Sequence, residues 1–402
     1  MRKVITFLGT KPIDTTYTYQ GTIYHGKVFA EAIRQFVDFD KMAVFVTQEA
    51  MDSSWPVVNE LNDSRIYPVI IPLGRNEEEI WQIFDIVINQ VEPGDTVIFD
   101  ITHGLRSLPF LVFLFAAYLK YARNVSIEAI LYGAFELGDR KNDLPAPVLD
   151  LSRFVDMLDW LTATDQFTES GNAYRLVSLL RGSLGKSHPV PTTLETVSQT
   201  ALTAQPFSLM ESIPNLISSL EKADQEIARE APPFHLLKAQ ILNEIRPFEA
   251  DFEEDEGKAI AAEFAMIEWY HTNRQYIQAV SLAREWLLDA VTHHLGDSLD
   301  FDRKPRERIE RGVSGIAMLG NKKQSVSSPA DLNEYGVQMV NELTPEELQL
   351  VKEIWNLLQP IRNSFDHPEH QTGSIQWNRS IFNWTEKVLP KIRQLHQDWF
   401  KA

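Results

Sequence analysis

Along the first 150 residues, short apolar runs alternate with segments whose apolar positions recur every three or four residues. The runs at 4–8, 42–46, 66–72, 96–101 and 127–132 read as strands. The fourth, Thr96-Val97-Ile98-Phe99-Asp100-Ile101, has the pattern of a fully buried strand and follows the turn Glu92-Pro93-Gly94-Asp95. Prolines in the third predict an edge or irregular position. Between the runs, 28–37 places Phe29, Ile33, Phe36 and Val37 on one helical face, and 77–91 does the same with Ile80, Ile83, Phe84 and Val87. Segment 108–122 is apolar nearly all round, as in a helix packed beneath other elements. Strands alternating with helices predict a Rossmann-like α/β domain with a parallel, doubly wound sheet. Ligands of such sheets bind beyond the carboxyl ends of the strands.

Past Asp150 the strand pattern fades. Segments 152–165, 172–182, 208–229, 235–250, 257–296, 344–359 and 376–400 predict helices. The stretch 187–203, rich in Ser, Thr and Pro, predicts a loop, and so does 298–333 with Pro305, Gly312, Gly315, Gly320 and Pro329. The organisation expected is an α/β domain over 1–150 and an all-α domain over 151–402, whose first part, to about 250, is a helical connector. A chain of 402 residues is long enough for two cores.

Composition narrows the chemistry. The absence of cysteine excludes disulfides, zinc-thiolate sites, iron–sulfur clusters and cysteine nucleophiles, and fits a reducing cytoplasm. The first apolar run is too short for a signal peptide, and 108–119 is about half of the roughly 20 residues a membrane span needs. A soluble, cytoplasmic protein without a membrane partner is expected. The formal net charge of −18 argues against stable binding to duplex DNA, while leaving room for a local site for a short RNA or a small nucleotide.

Two short sequences sit where a doubly wound sheet puts its ligand. Leu8-Gly9-Thr10-Lys11 follows the first strand, and Asp100-Ile101-Thr102-His103-Gly104-Leu105-Arg106-Ser107-Leu108-Pro109 joins the fourth strand to a helix. Gly104 permits close backbone approach, Ser107 suits an N-cap, and Pro109 suits a first turn. Free N–H groups there would hold a phosphate, with Thr102, His103 and Arg106 as further donors. The bland alternative is a tight strand-to-helix turn. Neither G-x-G-x-x-G nor G-x-x-x-x-G-K-[ST] occurs, so a dinucleotide enzyme and a P-loop ATPase are excluded.

The string from Asp100 to Pro109 resembles the signature of one branch of the CRISPR-associated Rossmann-fold (CARF) sensors, over about residues 1–150. The resemblance implies a cyclic oligoadenylate as ligand, the tetra-adenylate ahead of the hexa-adenylate. It also implies a homodimer whose two copies share one symmetric pocket. By the same resemblance Gly9, Thr10, Lys11, Thr102, His103, Gly104 and Arg106 line that pocket.

Near the other end, Pro360-Ile361-Arg362-Asn363-Ser364-Phe365-Asp366-His367-Pro368 resembles the Arg-polar-x3-His motif of the HEPN (higher eukaryote and prokaryote nucleotide-binding) nucleases. Segment 269–285 resembles a helix of that group, and by itself is an amphipathic helix with core aromatics. The whole chain then resembles the ancillary type III CRISPR ribonucleases that join the two domain types. The implied activity is metal-independent cutting of single-stranded RNA in antiviral defence, switched on by the ring nucleotide.

The residue types suit that chemistry. RNA carries its own nucleophile, the 2′-OH. Histidine can take or give the proton, and a guanidinium can stabilise the charged transition state, leaving a 2′,3′-cyclic phosphate without a cofactor or metal. His367 is the expected general acid/base, Arg362 the phosphate ligand and Asn363 a positioning group. Five residues on a regular helix turn by about 140°, so Arg362 and His367 require a kinked or interfacial geometry.

Three other features have bland readings beside the functional ones. His293-His294 and His367/His370 have no carboxylate spacing to support a metal. The basic stretch Arg303-Lys304-Pro305-Arg306 with Arg308, Arg311, Lys322 and Lys323 is either an RNA guide or a solvated loop. The acidic run 251–256 reads as a solvated turn. Two whole-chain alternatives also stand: a ligand-sensing scaffold that binds RNA or protein without cutting, and a sensor domain that itself linearises its ring.

Overall fold

The strongest apolar runs become strands because both of their faces are buried. In the computed structural model, which describes residues 1–103, 108–139, 144–299, 303–319, 331–366 and 374–400, the chain separates into two units, Met1–Asp159 and Trp160–Ala402.

The first unit is built in the order β1 (Arg2–Phe7), β2 (Thr15–Tyr19), β3 (Thr22–Gly26), α1 (Phe29–Phe36), β4 (Lys41–Val46), α2 (Gln48–Ser53), α3 (Trp55–Asn59), β5 (Ile66–Ile70), α4 (Glu77–Ile88), β6 (Thr96–Asp100), α5 (Leu108–Ala122), β7 (Ser126–Gly133) and β8 (Ala146–Asp150). The sheet order is β3-β2-β8-β7-β6-β1-β4-β5. The five strands expected from sequence, β1, β4, β5, β6 and β7, pair with one another only in parallel. Along β1 and β6 successive side chains serve opposite cores. Val4 and Ile98 pack with Phe29 and Ile33 on one face. Ile5, Phe7 and Phe99 pack with Ile83, Val87, Val112 and Phe115 on the other. A strand buried on both sides reads as a continuous apolar run.

The sheet is larger and more mixed than expected. β8 runs antiparallel to β7, and the β2–β3 hairpin adds to β8. Thr15–Tyr19 and Thr22–Gly26 are mostly threonine and tyrosine with one isoleucine, so no apolar run betrays them. Their turn is Gln20-Gly21, with φ of 47° and 83°, the left-handed pair a tight hairpin demands.

In the second unit all described secondary structure is helical. α6 (Ser152–Ser170) leads into α7 (Tyr174–Leu184), α8 (Pro189–Leu202), α9 (Pro206–Lys222), α10 (Asp224–Glu230), α11 (Pro232–Ile245), α12 (Glu256–Thr272), α13 (Tyr276–His294), α14 (Arg303–Met318), α15 (Glu334–Glu342), α16 (Pro345–Asp366), α17 (Ser374–Asn383), a π-helical turn at Trp384–Val388, and α18 (Leu389–Phe400). One core runs through them, with Tyr270, Trp286 and Trp384 among its largest fully buried side chains.

Three expectations fail here. The stretch 187–203 is the helix α8, not a loop. Pro189 occupies its permitted first turn, and Thr192, Thr193, Thr196 and Thr200 turn their hydroxyls back onto carbonyls one turn earlier. Val190, Leu194, Val197 and Ala201 form its buried face. The stretch 298–333 contains the helix α14. A Cβ at Gly312 would stand 2.8 Å from Tyr335 Cβ and 3.0 Å from the Gly336 nitrogen, so this glycine serves close helix packing, not a turn. Segment 257–296 is two helices, α12 and α13, broken at 273–275 where Arg274 takes φ 58°. Segment 269–285 therefore spans a helix–turn–helix junction.

These contacts invert the usual sign of a glycine substitution. Gly→Ala inside a helix ordinarily stabilises by about 0.5–1 kcal/mol. Gly182 in α7 has open space around its Cβ position, and Gly182→Ala should follow that rule. Gly312→Ala should instead destabilise by roughly 1–3 kcal/mol through overpacking. Urea unfolding of both variants checks this, and shifts of equal sign would refute the packing role.

Candidate functional site

The first unit brings β1 and β6 side by side at the point where the strand order reverses, since β4 and β5 extend one way from β1 and β6 and β7 the other. Gly9, Thr10 and Lys11 follow β1, and Thr102 and His103 follow β6, so both segments emerge at this switch point. Lys11 is exposed, Thr10 half-buried, and a Cβ at Gly9 would meet His103 Cβ at 3.8 Å. Gly104 and Arg106, with Ser107, lie outside the described residues.

A carboxyl below the surface organises this end of the sheet. Asp100, 1% exposed, accepts the Thr6 hydroxyl from β1 and the Thr102 amide at 2.7 Å. The Thr102 hydroxyl in turn accepts the Gly133 amide at the end of β7, at 2.8 Å. One network thus ties together the ends of three strands. Thr102 is 8% exposed and spends its hydroxyl on this brace. Burial pushes the Asp100 carboxyl up to about 6, against the opposing effect of its hydrogen bonds.

His103 stands above that brace. Its Nε2 lies 3.4 Å from the Tyr17 hydroxyl, and the Phe135 ring lies nearly parallel at 6.4 Å. Burial lowers the imidazole to about 4, so it is neutral at pH 7. A neighbouring cavity of about 340 Å³ is walled by Ile13, Thr15, Thr16, Phe135, Asp139 and Leu144. The result is a mixed recess of apolar, threonine and aromatic walls, with Asp139 as its one charged lining residue among the described residues. Tyr17, Phe135 and the role of Asp100 were not apparent from sequence. Only the carboxyl inside the apolar run Thr96–Ile101 hinted at a buried network.

In the helical unit, Arg362 and Asn363 sit near the end of α16, beyond Pro360, which lies inside the helix. Ser364 braces this end by bonding Ser380 of α17 at 2.7 Å, and Phe365 packs on Trp377 at 4.7 Å. Arg362 is half-buried and lines a cavity, while Asn363 is exposed. His367 and His370 lie outside the described residues.

The basic stretch is not a solvated loop. It forms most of α14, where Arg306 pairs with Asp289 at 2.6 Å and with Glu285 at 2.7 Å. Arg308 and Arg311 face Glu334 and Glu307, while Lys322 and Lys323 lie outside the described residues. His293 and His294 diverge: one stacks on Phe400 and faces Glu256, the other stacks on Trp399 and faces Glu347. Glu263 and Asp289, beside the Arg362 cavity, were missed from sequence. Their signal was present, since each is an acid on the buried face of an apolar helix.

No family model matches the chain. Over 118 residues it is 36% identical to the CRISPR-associated protein MJ1674 of Methanocaldococcus jannaschii, a stretch covering 28% of this chain and 18% of that relative. Over that stretch the chain is related to a CRISPR-associated protein, and it spans less than a fifth of the relative's length. Among solved structures, Enterococcus italicus Csm6 bound to cyclic hexa-2′-fluoro-hexa-dAMP aligns over 100% of this chain and 94% of its own. The TM-score is 0.47 and the identity 12%, a likeness that carries no weight for the site.

Asp100 and His103 make opposite demands on pH. The fold holds the Asp100 proton to about 6, against 3.8 for the ordinary group, so its stabilisation is complete at low pH and is lost as pH rises through 6. The fold keeps His103 neutral down to about 4, against 6.5, so its stabilisation is present above 6.5 and is lost as pH falls through 4. Between about pH 4.5 and 6 the two slopes oppose each other. Relative to wild type, Asp100→Asn should lose stability as pH falls across that window, and His103→Asn should gain it. Urea midpoints from pH 4.5 to 6.5 test this; two variants parallel to wild type would remove both assignments.

Proposed function

We propose that this protein is a CARF–HEPN ribonuclease, in which a cyclic oligoadenylate bound by the first unit switches on metal-independent cutting of single-stranded RNA by the second. One observation carries the reading. Gly9-Thr10-Lys11 and Thr102-His103 emerge together at the switch point of a doubly wound sheet, in a chain related to a CRISPR-associated protein. That is where a nucleotide's phosphates and bases would meet Lys11 and the flat rings of His103 and Phe135. Gly104 and Arg106 complete the proposed pocket.

A symmetric ring suits a pair of identical subunits. The face of α5 that leaves Phe110 69%, Leu114 43% and Tyr118 41% exposed, at four-residue spacing, suits contact with a second copy. Ligand shifts such a dimer towards the cutting state only by binding that state more tightly.

In the helical unit Arg362 binds the scissile phosphate and Asn363 positions it. His367 takes the 2′-hydroxyl proton as that oxygen attacks phosphorus, and an acid, the same residue of a second copy, protonates the departing 5′-oxygen. The products are a 2′,3′-cyclic phosphate and a 5′-hydroxyl. Cyclic tetra-adenylate is the activator placed first, with the hexa-adenylate second.

The test is cleavage of a fluorescent single-stranded RNA in EDTA, with either ring and with none. Cleavage should require a ring. His367→Ala should lower kcat by about 10²-fold or more, and Lys11→Ala should raise the half-activating ring concentration about tenfold. Cleavage retained by His367→Ala would remove the catalytic assignment. Activation untouched in Lys11→Ala would move the ring elsewhere.

A further inference from the structure

One face of α7 forms a surface groove with an aromatic ring at one end and cations along it. Tyr174, Val177, Ser178, Arg181 and Gly182 recur at three- and four-residue spacing and so share a face. With Lys186, just past the helix, they line a groove of about 560 Å³. Tyr174 stands 77% exposed. Ser178 and Gly182 are small and exposed, and a Cβ at Gly182 would meet nothing, so the middle of the groove is open to a ligand. From Tyr174 to Arg181 the helix rises by about 10 Å.

The exposed ring stands on a braced backbone. The Tyr174 amide donates to the Asn172 side chain at 3.0 Å, and the Ala173 amide donates to the Ser198 hydroxyl of α8 at 2.9 Å. That hydroxyl donates in turn to the Gly171 carbonyl at 2.7 Å. The start of α7 is thereby fastened to α8, so a ligand that stacks on Tyr174 has little backbone to order. The local sequence carries cations only. In a chain with 56 acids among 402 residues, positions 170–194 hold none, yet they hold Arg175, Arg181 and Lys186. Lys186 is exposed. Glu195 of α8 reaches Arg181 at 2.7 Å, an exposed pair of little strength that a phosphate can share. Glu226 of α10 lies 3.4 Å from the His188 ring at the far side of the α7–α8 turn.

Single-stranded nucleic acid is held by stacking its bases on exposed aromatic rings and laying its phosphates on cations. We infer that the α7 groove is a docking surface for single-stranded RNA, in which a base stacks on Tyr174 and the adjoining phosphates meet Arg181 and Lys186. The inference rests on the reading of RNA as substrate of the helical unit. It adds a place where the strand is held apart from the bond that is cut, since this groove and the cavity at Arg362 share no lining residue. Past Lys186, His188 begins the wall of a second cavity of about 540 Å³, where Asn215, Ser218 and Lys222 of α9 suit a continuing sugar–phosphate chain. Stacking and phosphate contact are indifferent to base identity, so the surface tolerates any sequence. On a chain of net charge −18, a local cationic stretch also fixes where a polyanion can approach.

The experiment is fluorescence anisotropy of the full chain with a mixed-sequence 2′-O-methyl RNA, which lacks the nucleophile and is bound without being cut. It is run over a range of salt, with cyclic tetra-adenylate and without it. Tyr174→Ala should weaken binding about tenfold, while Tyr174→Phe, which keeps the ring, should stay within about twofold of wild type. Lys186→Gln should weaken binding and reduce the slope of log affinity against log salt by about 0.7. Gly182→Gln fills an open position without disturbing the fold and should weaken binding severalfold. In cleavage of unmodified RNA the effect of Tyr174→Ala should fall on KM and not on kcat. No RNA binding by wild type, or wild-type affinity in Tyr174→Ala and Gly182→Gln shown folded by circular dichroism, overturns the proposal. A lower sedimentation coefficient in Tyr174→Ala with RNA affinity intact gives the groove to a second copy and overturns it too. RNA cut by Tyr174→Ala at an unchanged KM sinks the groove and spares the ribonuclease. RNA held through Tyr174 but never cut does the reverse.

Discussion

The switch-point end of the sheet in the first unit depends on one buried carboxyl. Asp100 terminates β6 inside the core, and its oxygens accept from Thr6 on β1 and from the Thr102 backbone, while Thr102 reaches Gly133 on β7. Without that network the ends of three parallel strands would expose unpaired amides just where the chain must leave the sheet. With it, Thr102 is locked, His103 is held beside Tyr17 and Phe135, and Gly9 lies against it. Gly133 belongs to the same constraint, because a Cβ there would come within 2.8 Å of Tyr17 and 2.9 Å of Phe29. Rigidity at the proposed ligand site is thus supplied from beneath, by groups that need not touch a ligand.

The helical unit uses buried carboxyls differently. Glu285 and Asp289 on α13 grip Arg306 on α14, so two helices are joined by paired charge as well as by apolar packing. Breaking such a pair is costlier than never having built it, since the surviving charge stays buried. Glu263 stands outside this pairing although it is the most deeply buried of the three. A group so placed marks a spot where stability yields to some other requirement.

Much of the frame was legible in the chain because burial writes itself into periodicity. Residues 96–101 and 4–8 announce two-sided strands, and 108–122 announces a helix, which the structure places at Leu108–Ala122 with only one face buried, since Phe110, Leu114 and Tyr118 are exposed. The segments 9–11 and 100–109 could be placed at a ligand end because a doubly wound sheet has only one such edge. Where local chemistry resembled something else, the reading failed. Threonines and prolines in 187–203 imitate a loop until their hydroxyls bond back along a helix. Glycines 312 and 315 imitate turns until the helices beside them come into view. Arg306 looks like a free cation until Asp289 and Glu285 arrive from a helix whose residues precede it by 17 and 21 positions.

The order of apolar and polar positions by itself determined that a parallel α/β sheet is followed by helices, and which short segments stand at the ends of β1 and β6. Those properties follow from side-chain periodicity and connection length, which act locally. Tertiary structure alone decided that Asp100, Thr6 and Gly133 form one brace, that Tyr17 and Phe135 flank His103, that the β2–β3 hairpin extends the sheet, and that Glu263 shares a cavity with Arg362. Each of these joins residues far apart along the chain, and an isolated residue's identity does not say which distant partner will satisfy it.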